Sequence, residues 1–348
     1  MLQTLILAVL FGVGAAADVP QAPPPTTVLL QPAALRGRLE GPLELYSRIY
    51  PGTVRRYWVY VPANYDPSRA PNLLLFQDGQ CATNPSGPLQ IPAVLDKLIE
   101  QRAIPETLGV FVTPGNLSAR YPDDLDTQNP NHRPEEYDAL SREYSRMTLE
   151  ELLPAVAQRW RFTADPRQRA IGGTSSVAIA SWTVAWHHPE AFGNVISFIG
   201  SYTSIGLKLG PDATPLAHSG DTNPGLIRKS PIRPLRIFLQ DGSSDFDNEH
   251  GNWFVANQQM LKALDWANPH ADAEGHKAPR YNVNHAWTAG AHSDAEGGAI
   301  LPRRAAQDLA RSAAGQMTHG TIEAVGRFPV CFRMERRCVE TASSRLSA

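Results

Sequence analysis

Ile171-Gly172-Gly173-Thr174-Ser175-Ser176-Val177, running on into Ala178-Ile179-Ala180, is the stretch that decides the fold. It reads as the end of a buried strand, a sharp turn carrying a serine, and the start of a helix. Such a strained turn holds a serine Oγ clear of the carboxyl edge of a sheet. It needs small residues two before and two after the serine, so that strand and helix backbones can approach. Gly173 fills the first place, but Val177 fills the second, where glycine is usual. A β-branched side chain there must displace the helix or find room among smaller neighbours, and overpacking typically costs about 1–3 kcal/mol. On that reading Val177→Gly keeps or raises kcat. Ser176 is the rival nucleophile, and an ordinary Gly-Ser turn is the bland alternative.

A serine hydroxyl is a poor nucleophile at neutral pH until a base takes its proton and an acid orients that base. Both partners follow in the chain order expected of a strand-turn-helix nucleophile. The strand-like run Leu235 to Gln240 ends in Asp241-Gly242-Ser243-Ser244-Asp245. A second run, Asn282 to Trp287, ends in Ala289-Gly290-Ala291-His292. Asp241 and Asp247 compete with Asp245 as the acid, one too near the strand end and the other too far past it. His285 and His250 compete with His292 as the base. A histidine inside a strand is more often structural, and His250 reads as lining the site or capping a helix.

Working outward, the alternation of apolar runs and helical spacing argues a mostly parallel sheet covered on both faces, with ligands at the carboxyl ends of its strands. Strands are expected at Leu43 to Tyr50, Tyr57 to Val61, Leu73 to Phe76, Leu108 to Val112 and Val195 to Ile199. Helices are expected at Ile91 to Gln101, from Glu135 to Trp160, and at Ile179 to Trp186. The polar stretch Pro114 to Arg133 reads as a long loop.

The chain has 348 residues, 42% of them hydrophobic and 19% charged, as a globular protein with a sizeable core requires. A formal net charge of −2 gives no electrostatic case for a nucleic-acid partner. Residues 1–17 are apolar from Leu5 to Val13 and end in Ala15-Ala16-Ala17, which reads as a secretory signal peptide. Residues 18–40 are rich in proline and read as a linker. No later run approaches the length of a transmembrane helix, so no stable membrane insertion is expected after cleavage. Residues 41–302 make the catalytic domain on this reading, and 303–348 an arginine-rich, partly disordered tail. Of the three cysteines, Cys331 and Cys338 are close enough in sequence to pair, leaving Cys81 alone. Their spacings do not suit a zinc site, and neither metal nor cofactor is expected.

Six segments together resemble the esterase D and enterochelin-esterase-like family of α/β-hydrolases, which also includes feruloyl and acetyl-xylan esterases. They are Pro51 to Arg55 with Tyr57 to Pro62; Phe76-Gln77-Asp78-Gly79; Glu136-Tyr137-Asp138; Ile171 to Ser176; Phe238 to Gly242; and Gly297 to Pro302. The similarity runs from about Tyr50 to Pro302. It implies the α/β-hydrolase fold, with Ser175 as nucleophile, Asp245 as acid and His292 as base. The chain departs from the family at Val177 and in the tail that follows Leu301-Pro302.

In that chemistry the backbone N–H of Ser176 forms half of an oxyanion hole. The N–H of Gln80, beside Gly79 in the loop after the Leu73 to Phe76 strand, is expected to form the other half. Tyr202 and Trp253 are expected to wall an acyl or aromatic pocket, with His250 at its lining. The leading reading is a secreted or periplasmic serine esterase acting on small acyl or aryl esters, sugar-linked esters among them. Hydrolysis of a siderophore trilactone is the alternative within the same chemistry. A non-catalytic binding protein on a hydrolase scaffold is the alternative from another class.

Overall fold

The computed structural model describes residues 35–123, 130–273 and 280–301. The signal-like segment, most of the proline-rich linker, the arginine-rich tail, Cys331 and Cys338 lie outside the described residues. Described strands in chain order are β1 (Arg38–Tyr46), β2 (Thr53–Val61), β3 (Asn72–Gln77), β4 (Thr107–Val112), β5 (Asn116–Leu117), β6 (Arg169–Thr174) and β7 (Asn194–Phe198). They continue with the hairpin β8 (Lys208–Leu209) and β9 (Pro215–Ala217), then β10 (Arg236–Gly242), the hairpin β11 (Asp247–Asn248) and β12 (Gly251–Asn252), and β13 (Asn282–Thr288).

The main sheet runs β1-β2-β4-β3-β6-β7-β10-β13, with β5 paired to β2. The pairs β1–β2 and β2–β4 are antiparallel, whereas every pair from β4 through β3, β6, β7 and β10 to β13 is parallel. This is the α/β-hydrolase architecture. Residues 38–40, assigned above to the linker, instead open β1, where Arg38 faces Val61.

Strands β3, β4 and β7 are buried at every residue, as strands covered on both faces must be. Their side chains alternate between two cores. Leu73, Leu75, Ile237 and Leu239 join one core with Trp182, Met260 and Leu264. Leu74, Phe76 and Phe238 join the other with Val94, Leu95 and Leu301. Helices α6 (Ser176–His187) and α8 (Trp253–Ala273) therefore cover one face. Helix α2 (Ile91–Glu100) and a helix over 294–301 cover the opposite face.

The long helix expected from Glu135 to Trp160 is broken. Helix α3 spans Arg133–Tyr137, and the chain turns before α4 (Glu143–Arg146), a π-helical stretch Met147–Leu152 and α5 (Leu153–Ala157). Glu136 explains the break. Its carboxylate is fully buried and takes both guanidinium ends of Arg55, at 2.8 and 3.0 Å, together with the Gly115 N–H at 3.1 Å. An acid tied to β2 and to the β4–β5 loop holds α3 against the sheet, out of line with the helix that follows.

Candidate active site

Helix α6 begins directly after β6, and the joint is Ser175, with φ 60° and ψ −127°. A non-glycine residue at positive φ is strained by roughly 1–3 kcal/mol and persists only where its surroundings hold it. Here they do: the Ser175 N–H donates to Phe198 O at 3.0 Å, and its carbonyl accepts from the Ala178 and Ser201 N–H groups at 3.0 and 3.2 Å. The side chain is thereby turned up at the carboxyl end of the sheet.

The remedy for Val177 is local. Val177 is fully buried, and a Cβ built on Gly173 would lie 2.1 Å from its Cγ1. Gly173 thus vacates the space that Val177 fills, so neither displacement nor overpacking is needed. The overpacking that glycine was expected to relieve is thus absent. Val177→Gly removes a buried isopropyl group from the first turn of α6 and adds glycine's helix penalty, a loss of about 2–4 kcal/mol. Urea unfolding of the two forms checks the loss; a midpoint unchanged or raised in the glycine form would refute it.

Two loops bring the remaining residues to Ser175. Asp245 sits three residues beyond β10 and His292 four beyond β13, and these strands are neighbours. The loops are stitched together by Ser243 N–H to Thr288 O at 2.9 Å and Ser244 N–H to Gly290 O at 3.0 Å. Glycine is required at the crossing, because a Cβ on Gly242 would meet Gly290 O at 2.1 Å. His292 Nε2 lies 2.9 Å from Ser175 Oγ, and its Nδ1 lies 2.7 Å from Asp245 Oδ1. The imidazole and carboxylate side chains are only 2% and 0% exposed, so the pair works out of bulk water. Ser293 starts the next helix, its Oγ accepting from the Ala295 N–H at 3.2 Å, which fixes the chain just past His292.

The competing assignments fall elsewhere. Ser176 is buried, with its hydroxyl beside Asp138. Asp247 is exposed in β11, and His285 is exposed in the edge strand β13 against the Trp287 ring. His250 is partly exposed; its carbonyl accepts from both the N–H and the hydroxyl of Ser204 at 2.9 Å, and its ring lies near Asp138.

Asp241 is wholly buried, accepting from the Gly242 N–H at 2.7 Å and Asn257 Nδ2 at 2.6 Å. Burial, reinforced by a hydrogen bond to Asp245 and by that residue's charge, pushes its pKa up to about 9. Burial thus favours the neutral form of Asp241, which in that form has a proton to offer the buried Asp245 carboxylate. A carboxyl whose folded pKa exceeds its unfolded value stabilises the fold fully below pH ~4 and loses that contribution as pH rises toward 9. Asp241→Asn cannot ionise, so its melting temperature relative to wild type should rise steadily between pH 5 and 9. Parallel melting curves across that range would exclude the neutral acid.

Gln80 and Ser176 each lie in the first turn of a helix, α1 (Gly79–Thr83) and α6 respectively. N–H groups there have no partner within the helix. Because β3 and β6 are adjacent and parallel, the two helix starts stand side by side at one sheet edge. A Cβ on Gly79 would lie 2.7 Å from the backbone of Phe111 and Val112, so only glycine lets this turn descend onto β4. Asp78 before it is left-handed, at φ 50°, and its carboxylate is held by Arg133 at 2.9 Å.

Neither Tyr202 nor Trp253 presents its ring to solvent at the site. Tyr202 is 1% exposed in the core under α6, with its hydroxyl on Ser197 Oγ at 3.0 Å. The left-handed Ile199 turns the chain so that this ring points inward. Trp253 is 2% exposed and sets its edge against the His292 ring at 5.9 Å. Two residues that the sequence reading did not single out stand in the site. Phe246, 47% exposed, stacks on His292 with ring centroids 4.5 Å apart. Ser201 Oγ lies 3.0 Å from Ser175 Oγ. The only sequence signals were an aromatic residue following Asp245 and a Gly-Ser pair after a buried strand.

Residues 50–293 match the protein-family model described as "Putative esterase". The chain is 22% identical over 193 residues to the uncharacterized protein YbbA of Bacillus subtilis, covering 55% of this chain and 69% of that one. Among solved structures it is similar to a ferulic acid esterase, with a TM-score of 0.55 and 16% identity over 79% of this chain and 99% of the other. It is also similar to the enterochelin esterase of Shigella flexneri, with a TM-score of 0.54 and 20% identity over 85% of this chain but only 60% of that one. The chain belongs to this esterase family: it is an α/β-hydrolase and a carboxylic-ester hydrolase.

Proposed function

We propose that the protein is a secreted or periplasmic serine esterase acting on small acyl or aryl esters, including esters carried on sugars. The observation that carries the chemistry is the unbroken hydrogen-bonded line from Ser175 Oγ through the His292 ring to Asp245 Oδ1. The signal-like residues 1–17 support export.

Ser175 Oγ attacks the ester carbonyl carbon as its proton passes to His292 Nε2. Asp245 holds Nδ1–H and stabilises the imidazolium without taking its proton. The charge that develops on the carbonyl oxygen is met by the Gln80 and Ser176 N–H groups, each such donor being worth about 3–4 kcal/mol in the transition state. Collapse breaks the C–O bond to the alcohol, which leaves with the proton from Nε2. Water then repeats the cycle on the acyl-enzyme, returning Ser175 as the hydroxyl. Phe246, half-exposed over His292, offers an apolar face to an acyl or aryl group.

A siderophore trilactone is the second reading, favoured by the likeness to the enterochelin esterase. Val177 fitting against Gly173 argues against a non-catalytic scaffold. One panel tests these readings: chromogenic short-chain and aryl esters, acetylated and feruloylated saccharides, and a trilactone siderophore. Turnover of the simple and saccharide esters is expected. Turnover of the trilactone alone would replace the first reading by the second, and silence on every ester would overturn both.

A further inference from the structure

The Ser175 hydroxyl has a second neighbour that the triad does not use, and the direction of the contact follows from its surroundings. Trp253 Nε1 lies 2.8 Å from Ser201 Oγ, and an indole N–H can only donate. Ser201 Oγ is therefore an acceptor on that side. On the other side, His292 Nδ1 faces the carboxylate of Asp245, so Nδ1 carries the ring proton and Nε2 is the acceptor. Ser175 must then donate to Nε2, and its one proton is spent. Of the two hydroxyls 3.0 Å apart, only Ser201 has a proton left to give. The line runs one way, from Trp253 N–H to Ser201 O–H to Ser175 O–H to His292 Nε2.

Ser201 is held for this contact at evident conformational cost. Ile199, two residues earlier, is a β-branched residue at φ 42°, a conformation it adopts only under constraint. The carbonyl of Gly200 is taken by Asn257 Nδ2 at 2.7 Å, and the Ser201 N–H is tied to Ser175 O at 3.2 Å. Ser201 itself is fully buried, and a Cβ on Gly220 would strike its carbonyl at 2.6 Å, so the residue cannot back away.

We propose that Ser201 is a fourth catalytic residue, a hydroxyl donor to Ser175 Oγ, with Trp253 as the positioning residue that fixes its direction. The inference rests on Ser175 being the nucleophile. As Ser175 gives its proton to His292, negative charge grows on Oγ before the bond to the carbonyl carbon is complete. The same oxygen carries charge again when it leaves in deacylation. A donor fixed on Oγ stabilises both moments and holds Oγ between His292 and the incoming carbonyl. It touches no part of the alcohol or acyl group, so it should change rate and leave substrate affinity alone.

The test uses diethyl 4-nitrophenyl phosphate, which reports the nucleophile directly. Ser175 Oγ bonds to phosphorus, 4-nitrophenolate leaves, and the Ser175 proton goes to His292. Mass spectrometry of the wild-type protein should locate one diethylphosphoryl group on Ser175; absence of that label would sink the triad reading itself, separately from the present one. With the label in place, Ser201→Ala should lower the second-order phosphorylation rate about tenfold. It should lower kcat on an activated ester by a similar factor with KM close to wild type, and lower the melting temperature modestly because the buried Trp253 N–H loses its acceptor. Trp253→Phe keeps the ring against His292 but removes the N–H, and should slow phosphorylation by a smaller factor. A wild-type phosphorylation rate in Ser201→Ala would overturn the proposal. So would a loss accompanied by an equal change in KM, which marks a structural role. If Ser201→Ala does not fold, a wild-type rate in Trp253→Phe overturns it instead.

Discussion

Ser175→Ala is expected to lower kcat at least about ten-thousand-fold while leaving the melting temperature near wild type, since it removes the attacking oxygen and no other heavy atom. His292→Ala should be nearly as damaging. Asp245→Asn should be less so, at about a hundred- to ten-thousand-fold, because the acid orients and stabilises without reacting. The carboxylate accepts from His292 Nδ1 at 2.7 Å and from the Phe246 N–H at 2.5 Å on the same oxygen. An asparagine that turns its amide toward the ring would force the wrong tautomer and leave Nε2 protonated, unable to take the Ser175 proton. Steady-state kinetics on one activated ester, with circular dichroism on each variant, measure all three. Wild-type turnover in Ser175→Ala beside a dead Ser176→Ala would move the nucleophile one residue along the elbow.

Glu136→Ala should destabilise the fold by about 3–5 kcal/mol, the range for removing one partner of a buried ion pair. Arg55 and Glu136 are both 0% exposed, and the bidentate contact spans 81 positions in sequence. Without the carboxylate, a guanidinium stays buried with nothing to neutralise it. The Gly115 N–H and His132 Nδ1, which share the same carboxylate, lose their partner too. Activity should fall beyond what stability explains, because α3 also supplies Arg133 to Asp78 and leads into Asp138 beside Ser176. Glu136→Gln, which keeps the shape and part of the hydrogen bonding, should lose less. Urea unfolding gives the comparison; a loss under about 1 kcal/mol in Glu136→Ala would show that this pair is not what anchors α3.

The sequence by itself determined the strand-turn-helix at Ser175, the run of buried strands and the positions of Asp245 and His292 beyond strand ends. These are local properties. A continuous apolar run, a glycine beside a serine and a loop of fixed length after a strand act within a few residues of themselves. The tertiary structure decided what depended on neighbours from other parts of the chain. That Gly173 makes room for Val177 follows from the turn angle at the elbow, which no residue count supplies. Glu136 could be read as part of a motif, but its partner Arg55 is brought to it by the pairing of β2 with β4 and β5. Tyr202 and Trp253 looked alike as aromatic residues near the site. A left-handed Ile199 sent one ring into the core, and the start of α8 set the other beneath His292. Ser201 became visible only when β7 lay beside β6, placing two hydroxyls from separate loops 3.0 Å apart. A side chain's direction and its cross-strand neighbour are set by backbone turns and sheet order, and both of these exist only once the chain has folded.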